Sequence, residues 1–327
     1  IDNVSVKEST KNNLARVDYD GTASSLLVEP ERTNVFIQND ISTWNGFSSY
    51  AGNTTAPDGT TINFVNMEDR RIFPTTTIIN STEYTSSIYL KGNKTADVKL
   101  RNVSGNDTVI TLSTEWQRFE LTATSVSTVT NTLLIDARFS QGMGVSGLEV
   151  AVYGGQTEVG SYPTSYIPTD GGTVTRVQDL YSKTGISDLI GQTEGTWFVD
   201  VDFDTLSGLN MFLSIRPNSS NKIEMYRDGN LIYGDIVSSS SFTFIKTGVT
   251  VGRYKIALSY SSGSNAMYIN GDLISNNSTS FAFTSTLNDL YVNSRGGTSF
   301  IEQSKYYNIQ LYKTALSPTQ LIALTTI

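Results

Sequence analysis

Cysteine and histidine are both absent from this chain of 327 residues. Without thiols there are no disulfides and no thiolate nucleophile; without imidazole there is no histidine base, no His-based triad and no zinc site of the usual kind. Charge is sparse as well. Asp, Glu, Lys and Arg make up 17% of the residues, and 23 basic against 31 acidic side chains leave a net charge of −8. No basic cluster is present to track a phosphate backbone, so nucleic acid is not an expected partner. No run approaches 18 apolar residues, and Ile1 to Lys11 lack the basic start and apolar core of a secretory leader. Membrane insertion is therefore not expected. Because the chain opens at Ile1 rather than Met, a processed leader and an upstream domain both stay open.

Helical periodicity is nearly missing too. In its place Ser, Thr, Asn and Gly abound, a mixture typical of extracellular β-proteins rich in turns and polar strand faces. Sequons such as those at Asn53, Asn80, Asn93, Asn106 and Asn277 are what such a composition generates by chance. Period-two alternation recurs: Ser87, Tyr89 and Lys91 against Ile88 and Leu90, and Val98 and Leu100 against Lys99 and Arg101. Asp58-Gly59, Ser104-Gly105-Asn106, Asp228-Gly229 and Asn270-Gly271 fall between apolar runs, where hairpins need positive φ. The one predicted helix is C-terminal, with Ser317 as cap, Pro318 in the first turn, and Leu321, Ile322 and Leu324 as its apolar side.

Many strands without interleaved helices predict an all-β protein of sandwiches. The length exceeds a usual domain of about 100 to 200 residues, so two domains are expected. Tyr162-Pro163 through Ile167-Pro168 to Gly171-Gly172 interrupts the strand pattern and places the junction near residues 170 to 180. The stretch to about Pro30 has little apolar periodicity and reads as an extended connector leading into the first sandwich.

Arg16-Val17-Asp18-Tyr19-Asp20-Gly21, followed by Ser25-Leu26-Leu27-Val28-Glu29-Pro30-Glu31-Arg32-Thr33-Asn34, resembles a segment recurrent in phage tail and other virion proteins, where it precedes a carbohydrate-binding-like jelly roll. The run Gly155-Gln156-Thr157-Glu158-Val159-Gly160-Ser161-Tyr162-Pro163-Thr164-Ser165-Tyr166-Ile167-Pro168-Thr169, then Val174-Thr175-Arg176, is similar to the end of the same module. The second half resembles the concanavalin A-like sandwich of laminin-G and pentraxin type. Val251-Gly252-Arg253-Tyr254 through Tyr260, Ala266-Met267-Tyr268-Ile269-Asn270-Gly271, and the closing Tyr307 to Leu321 carry that likeness. Where the family has Ile-Gly or Leu-Gly, this chain reads Tyr291-Val292-Asn293. The resemblances imply a connector at 1–30, a jelly roll at 31–176 and a concanavalin A-like sandwich at 177–327. They also imply a place on the virion surface, other virion proteins as partners, and a homo-oligomer, commonly a trimer.

Such sandwiches host lectins, hydrolases and spacers alike, so function must come from the residues. Asp200, Asp202 and Asp204 alternate on one strand face, with Trp197, Val199, Val201 and Phe203 on the other. They read as solvated surface, as a ligand or metal contact, or as catalytic acids. Retaining hydrolysis wants carboxyls about 5 to 5.5 Å apart, whereas residues four apart on a strand rise about 13 Å. No enzyme is expected. If a cofactor is present it is a structural calcium, with Asp202 and Asp204 as candidate ligands.

Sugar recognition needs flat apolar rings with hydrogen-bonding groups around them, and 17 tyrosines offer many. Two clusters stand out, Tyr50, Arg70, Arg71 and Phe73 in one, and Tyr226, Arg227 and Tyr233 around Asp228-Gly229 in the other. Each is a candidate ligand site or ordinary sandwich surface. Trp44 is a plug under the sheet or an exposed stacking ring. For Trp116, which shares a face with Arg118 opposite Gln117, Phe119 and Leu121, alternation alone does not settle which side is buried. The expected function is adhesion to a host cell-surface glycan, multivalent display compensating for shallow sites. The alternatives are a structural head or tail decoration protein without sugar binding, and a bacterial surface adhesin.

Overall fold

The computed structural model describes residues 16–20, 23–238 and 241–327. It divides into two compact units: Glu31–Arg176, and a discontinuous unit of Val177–Ile327 together with the described residues up to Pro30. Among the described residues the regular structure is strand, apart from three short 3-10 turns and one α-helix. In each unit two main sheets close over an apolar core, the all-β architecture that the alternation predicts.

In the discontinuous unit a seven-stranded sheet runs in the order Arg16–Asp20, Ala23–Val28, Ser304–Tyr312, Glu194–Phe203, Gly252–Ser261, Asn265–Ile269, Asp272–Asn277. A six-stranded sheet runs Tyr181–Lys183, Leu290–Val292, Leu209–Asn218, Asn221–Asp228, Leu231–Val237, Ser241–Lys246. Trp197, Val199, Val201 and Phe203 from one sheet meet Phe212, Ile215, Ile223, Met225, Ile232 and Ile236 from the other. The period of two thus sorts the central strand as expected, apolar side chains inward and Asp200 and Asp202 outward. The Asn270-Gly271 turn has φ of 52° and 87°, the two positive angles that join adjacent antiparallel strands without splaying them.

The C-terminal helix Pro318–Thr325 begins on a capping box between Ser317 and Gln320, with Pro in its first turn. It lays Leu321 on Phe198, Ala257 and Tyr268, with Leu324 beside them. Ile322, expected on the apolar side, is exposed; at 100° per residue it turns away from the stripe that Leu321 and Leu324 share.

The N-terminal connector needs correction. Residues 1–15 of it lie outside the described residues. Residues 16–20 and 23–28, however, form two antiparallel strands, and Leu26, Leu27 and Val28 pair with Tyr306, Lys305 and Ser304 of the discontinuous unit's sheet. Val28 is fully buried there. Arg16 hydrogen-bonds the buried Asp179 carboxylate and stands 3.0 Å from that of Glu29, also buried, while the Glu29 amide donates to Asp179 at 2.9 Å. Weak apolar periodicity misleads here, because the two strands are held by buried charge as much as by apolar side chains.

In the other unit a five-stranded sheet, ordered Gln117–Thr124, Glu83–Gly92, Glu149–Val159, Thr61–Asn66, Tyr50–Thr55, shares its core with a four-stranded sheet of Asp107–Leu112, Ala96–Arg101, Ile135–Asp136 and Arg71–Ile72. Ile88, Leu90 and Val150 meet Val98, Leu100 and Ile135 between them. The two segments that bracket this unit in sequence lie side by side, Arg32–Asn34 pairing with Val174–Arg176. Asn34, fully buried, accepts from the amides of Phe36 and Thr157 and donates to the Ile167 carbonyl. Gln156 and Glu158 then pin the returning segment. The Gln156 carbonyl oxygen accepts from the Ile167 amide, and the Glu158 carboxylate accepts from the Thr164 amide and hydroxyl.

Candidate functional site

Strand parity fixes which side chains of the six-stranded sheet face away from its core. On Asn221–Asp228, Ile223, Met225 and Arg227 point inward, so Lys222, Glu224 and Tyr226 point outward. The hairpin register sets Tyr226 opposite Tyr233 and Glu224 opposite Asp235. On the other side Ser214 lies opposite both Glu224 and Tyr291. One outward row therefore reads Tyr291, Ser214, Glu224, Asp235, with the tyrosine pair beside it.

Glu224 is the centre of this face, and it is completely covered. Lys222 Nζ lies 2.7 Å from Oε2, and Arg216 Nη1 and Arg295 Nε lie 3.2 and 3.1 Å from Oε1. Burial works against its charge, but Lys222, Arg295 and Arg216 outweigh burial and hold its carboxyl below the ordinary glutamate value. Lys222 also stands 3.7 Å from Asp235. Tyr226 stacks on Tyr233 with centroids 4.7 Å apart and planes within 10°. Its hydroxyl donates to Asp235 Oδ2 at 3.1 Å; burial first, then Asp235, raises its pKa. Asp235 Oδ1 is buried and has no hydrogen-bond partner.

Arg295 comes from the loop after Leu290–Val292, and that loop is built under strain. Asn293 and Phe300 both take positive φ, 56° and 65°, which costs a non-glycine residue on the order of 1–3 kcal/mol. Asn293 holds the loop's base by donating to the Glu302 carbonyl at 2.7 Å and accepting from the Tyr306 hydroxyl at 3.0 Å. The Met211 amide fixes the Phe300 carbonyl at 3.0 Å. The result sets the Arg295 guanidinium 4.6 Å from the Phe300 ring centroid and 5.9 Å from that of Tyr226. Three cations against two carboxylates make this face locally positive on a chain of net charge −8.

Of the residues singled out in the sequence, Tyr226 and Tyr233 belong to this face and Arg227 does not. Arg227 is buried, its guanidinium donating to the carbonyls of Ser207, Gly208 and Gly229 and standing 5.3 Å from the Phe203 ring centroid. Its parity with Ile223 and Met225 carried that signal. Glu224, Arg216 and Arg295 were missed, because their meeting depends on which strands and loops are neighbours.

Trp44 is the plug rather than a stacking ring: 4% exposed, edge-on to Phe36, its Nε1 donating to the Gln38 carbonyl at 2.8 Å. The cluster of Tyr50, Arg70, Arg71 and Phe73 resolves into separate contacts. Tyr50 packs edge-on to Phe47, Arg71 lies over Phe73 at 5.4 Å, and Arg70 is exposed. Asp200 is buried and bound through both oxygens to Arg253. Asp202 is half-buried, its carboxyl pushed up by burial and by Asp204, with Lys305 and Arg253 opposing. Asp204 is exposed and accepts from Gln303 at 3.3 Å. Among the described residues no group of three or more His, Cys, Asp or Glu is placed to hold a metal ion.

No protein-family model matches the chain, and no curated protein matches it. Solved structures do. The CBM40 of Ruminococcus gnavus IT-sialidase, bound to alpha2,3 sialyllactose, matches at 16% identity and TM-score 0.38 over 45% of this chain and 98% of that one. A leech intramolecular trans-sialidase matches at 16% and 0.40 over 46% of this chain and 26% of its own. Domain 4 of a GH43 extracellular arabinanase from Geobacillus stearothermophilus, in complex with arabinotriose, matches at 18% and 0.36 over 48% of this chain and 74% of that domain. Each match spans under half of the present chain.

Proposed function

We propose that this chain is a glycan-binding adhesion protein whose outward six-stranded face takes a carboxylate-bearing saccharide. The observation that carries the reading is Glu224, buried among Lys222, Arg216 and Arg295 beside the Tyr226–Tyr233 stack. A buried acid between cations holds the guanidinium groups in place before any ligand arrives, so little ordering entropy is lost on binding. The guanidinium N–H groups not turned to Glu224 are suited to a sugar carboxylate through charge-assisted hydrogen bonds. The tyrosine pair supplies apolar surface for sugar C–H groups.

Repeated display multiplies the affinity of a single face, and adhesion in this reading relies on it. The segments resembling those of phage tail proteins support a place on the virion surface, facing a host cell-surface glycan, in a homo-oligomer of which a trimer is the expected form. No catalytic role belongs to this reading, since the outward carboxylates are committed to cations or a tyrosine hydroxyl rather than poised around a scissile bond.

Titration of the full chain with 3′-sialyllactose and trigalacturonate, with lactose and maltotriose as uncharged controls, tests the proposal. Saturable binding of a carboxylated probe is expected, weakened about tenfold, roughly 1.4 kcal/mol, by Arg295→Gln. Binding that ignores both the carboxylate and Arg295 would overturn it.

A further inference from the structure

The unit Glu31–Arg176 has an aromatic cluster outside its core. Tyr89 lies opposite Arg118 on one neighbouring strand and opposite Tyr153 on the other. Ile88, Leu90 and Phe119 alternate with them and pack inward, so Arg118, Tyr89 and Tyr153 form a row on the sheet's outer face. Trp116, one residue before its strand, joins that face with its ring centroid 6.5 Å from that of Tyr153; Tyr89 and Tyr166 lie 6.0 and 5.4 Å from Tyr153. All four rings are half-exposed, and none belongs to an apolar core.

Three features make this a cup rather than a flat surface. Trp116 Nε1 donates to the Thr55 carbonyl at 2.8 Å, although Gln117–Thr124 and Tyr50–Thr55 are the opposite edges of the five-stranded sheet. The sheet must therefore curl until its edges meet over the face. The ladder between Glu149–Val159 and Glu83–Gly92 also shifts register between Tyr153 and Gln156, a bulge of the kind that re-aims a side chain. At its centre Gly154 has φ of 63°, and a Cβ there would stand 3.2 Å from the Tyr89 ring and 3.5 Å from that of Tyr166. Lastly, the segment pinned by Gln156 and Glu158 brings Tyr166 over Tyr153.

The polar groups indicate an uncharged ligand. Arg118 turns Nη2 to Ser87 Oγ at 2.9 Å and to the Thr164 carbonyl at 2.7 Å, and its charge is shared between the Glu120 carboxylate at 3.8 Å and the Tyr89 ring, whose centroid lies 5.5 Å away. Asp58, at the hairpin tip, acts on the Tyr153 hydroxyl; burial first and this carboxylate second push that phenol above its ordinary range, so it remains a neutral donor. Ring faces with phenolic hydroxyls around them suit sugar C–H and O–H groups without a net charge.

We infer that this cup, formed by Tyr89, Trp116, Tyr153 and Tyr166, is a second saccharide site, specific for uncharged sugars and independent of the Glu224 face. Trp116 is its built-in reporter, because Trp44 and Trp197 are buried.

The test is an array of uncharged glycans probed with the full chain, followed by titration of the best-retained glycan while tryptophan emission is read. Binding is expected to shift the emission and to weaken at least tenfold in Tyr153→Ala. Trp116→Phe keeps a ring and should bind within about threefold while losing the emission change, which guards against a Trp116→Ala variant that fails to fold. Arg295→Gln should leave this binding unchanged, so failure here and failure at the Glu224 face are told apart. The inference is overturned if no uncharged glycan is retained above the Tyr153→Ala background, or if binding follows Arg295 instead of Tyr153.

Discussion

Arg253 grips Asp200 with two hydrogen bonds, Nε to Oδ1 at 2.7 Å and Nη2 to Oδ2 at 2.8 Å, and lies 3.7 Å from the centroid of the Tyr307 ring. Asp200 is thereby a strut between neighbouring strands. Asp200→Ala should cost about 1–2 kcal/mol in urea unfolding, the modest end of a charge-assisted pair because Arg253 reaches solvent. The same variant should leave binding of the carboxylated probes within twofold; a larger loss would give Asp200 a role in the site.

Arg16 neutralises two buried acids, so its removal should be costly. Arg16→Ala leaves Glu29 and Asp179 facing each other without the cation, and a loss of about 3–5 kcal/mol is expected. Burial holds the Asp179 carboxyl above its ordinary value of 3.8, against the pull of Arg16. A carboxyl raised in the folded state binds protons more readily there than in the unfolded chain, so its contribution to stability falls as pH rises from 3.8 through the raised value. In Arg16→Ala that fall should steepen, seen as a larger drop in Tm between acid and neutral pH than in the parent; an equal drop would dissociate Arg16 from Asp179.

Glu224 titrates with the opposite sign. Its folded-state value is depressed, so the stability it contributes is complete above its ordinary 4.5 and is lost as pH falls through the lower value. Glu224→Gln should remove that acid dependence and loosen Arg216 and Arg295, weakening the carboxylated probes at neutral pH. Stronger binding on loss of the negative charge would show that Glu224 competes with the ligand rather than ordering its donors.

Glu158 links fold and cup. Its oxygens accept from the Thr164 amide, the Thr164 hydroxyl and Gln156 Nε2. Glu158→Gln points an amide donor at these donors, and about 2–3 kcal/mol should be lost. If this network is what sets Tyr166 over Tyr153, the variant should also weaken uncharged glycans at temperatures where it stays folded. Unchanged affinity would make Tyr166 self-positioning.

Much of the fold was legible because its signals are short-range. Alternation from Trp197 to Phe203 sorted the face turned to the main core from the opposite face, Asn270-Gly271 marked a hairpin, and Ser317-Pro318 marked a helix start. The Tyr226–Tyr233 pair was within reach for the same reason, since one tight turn separates the two strands. Parity with Ile223 and Met225 turns Arg227 inward, a signal that the grouping of Arg227 with the two tyrosines passed over. Parity did not tell which face of the Trp116 strand is buried, because both faces carry large side chains; contact of Phe119 and Leu121 with the core decides it.

By itself the sequence determined the local geometry of this protein: strands of period two, their turns, the final helical turns and the lack of thiol and imidazole chemistry. Only the tertiary structure decided that the strands at residues 16–20 and 23–28 join a distant sheet, that Arg216 and Arg295 converge on Glu224, and that Trp116 meets Thr55 across a curled sheet. The physical reason is that backbone periodicity is set by neighbours along the chain, whereas strand order, curl and loop closure are set by which buried groups satisfy one another across it.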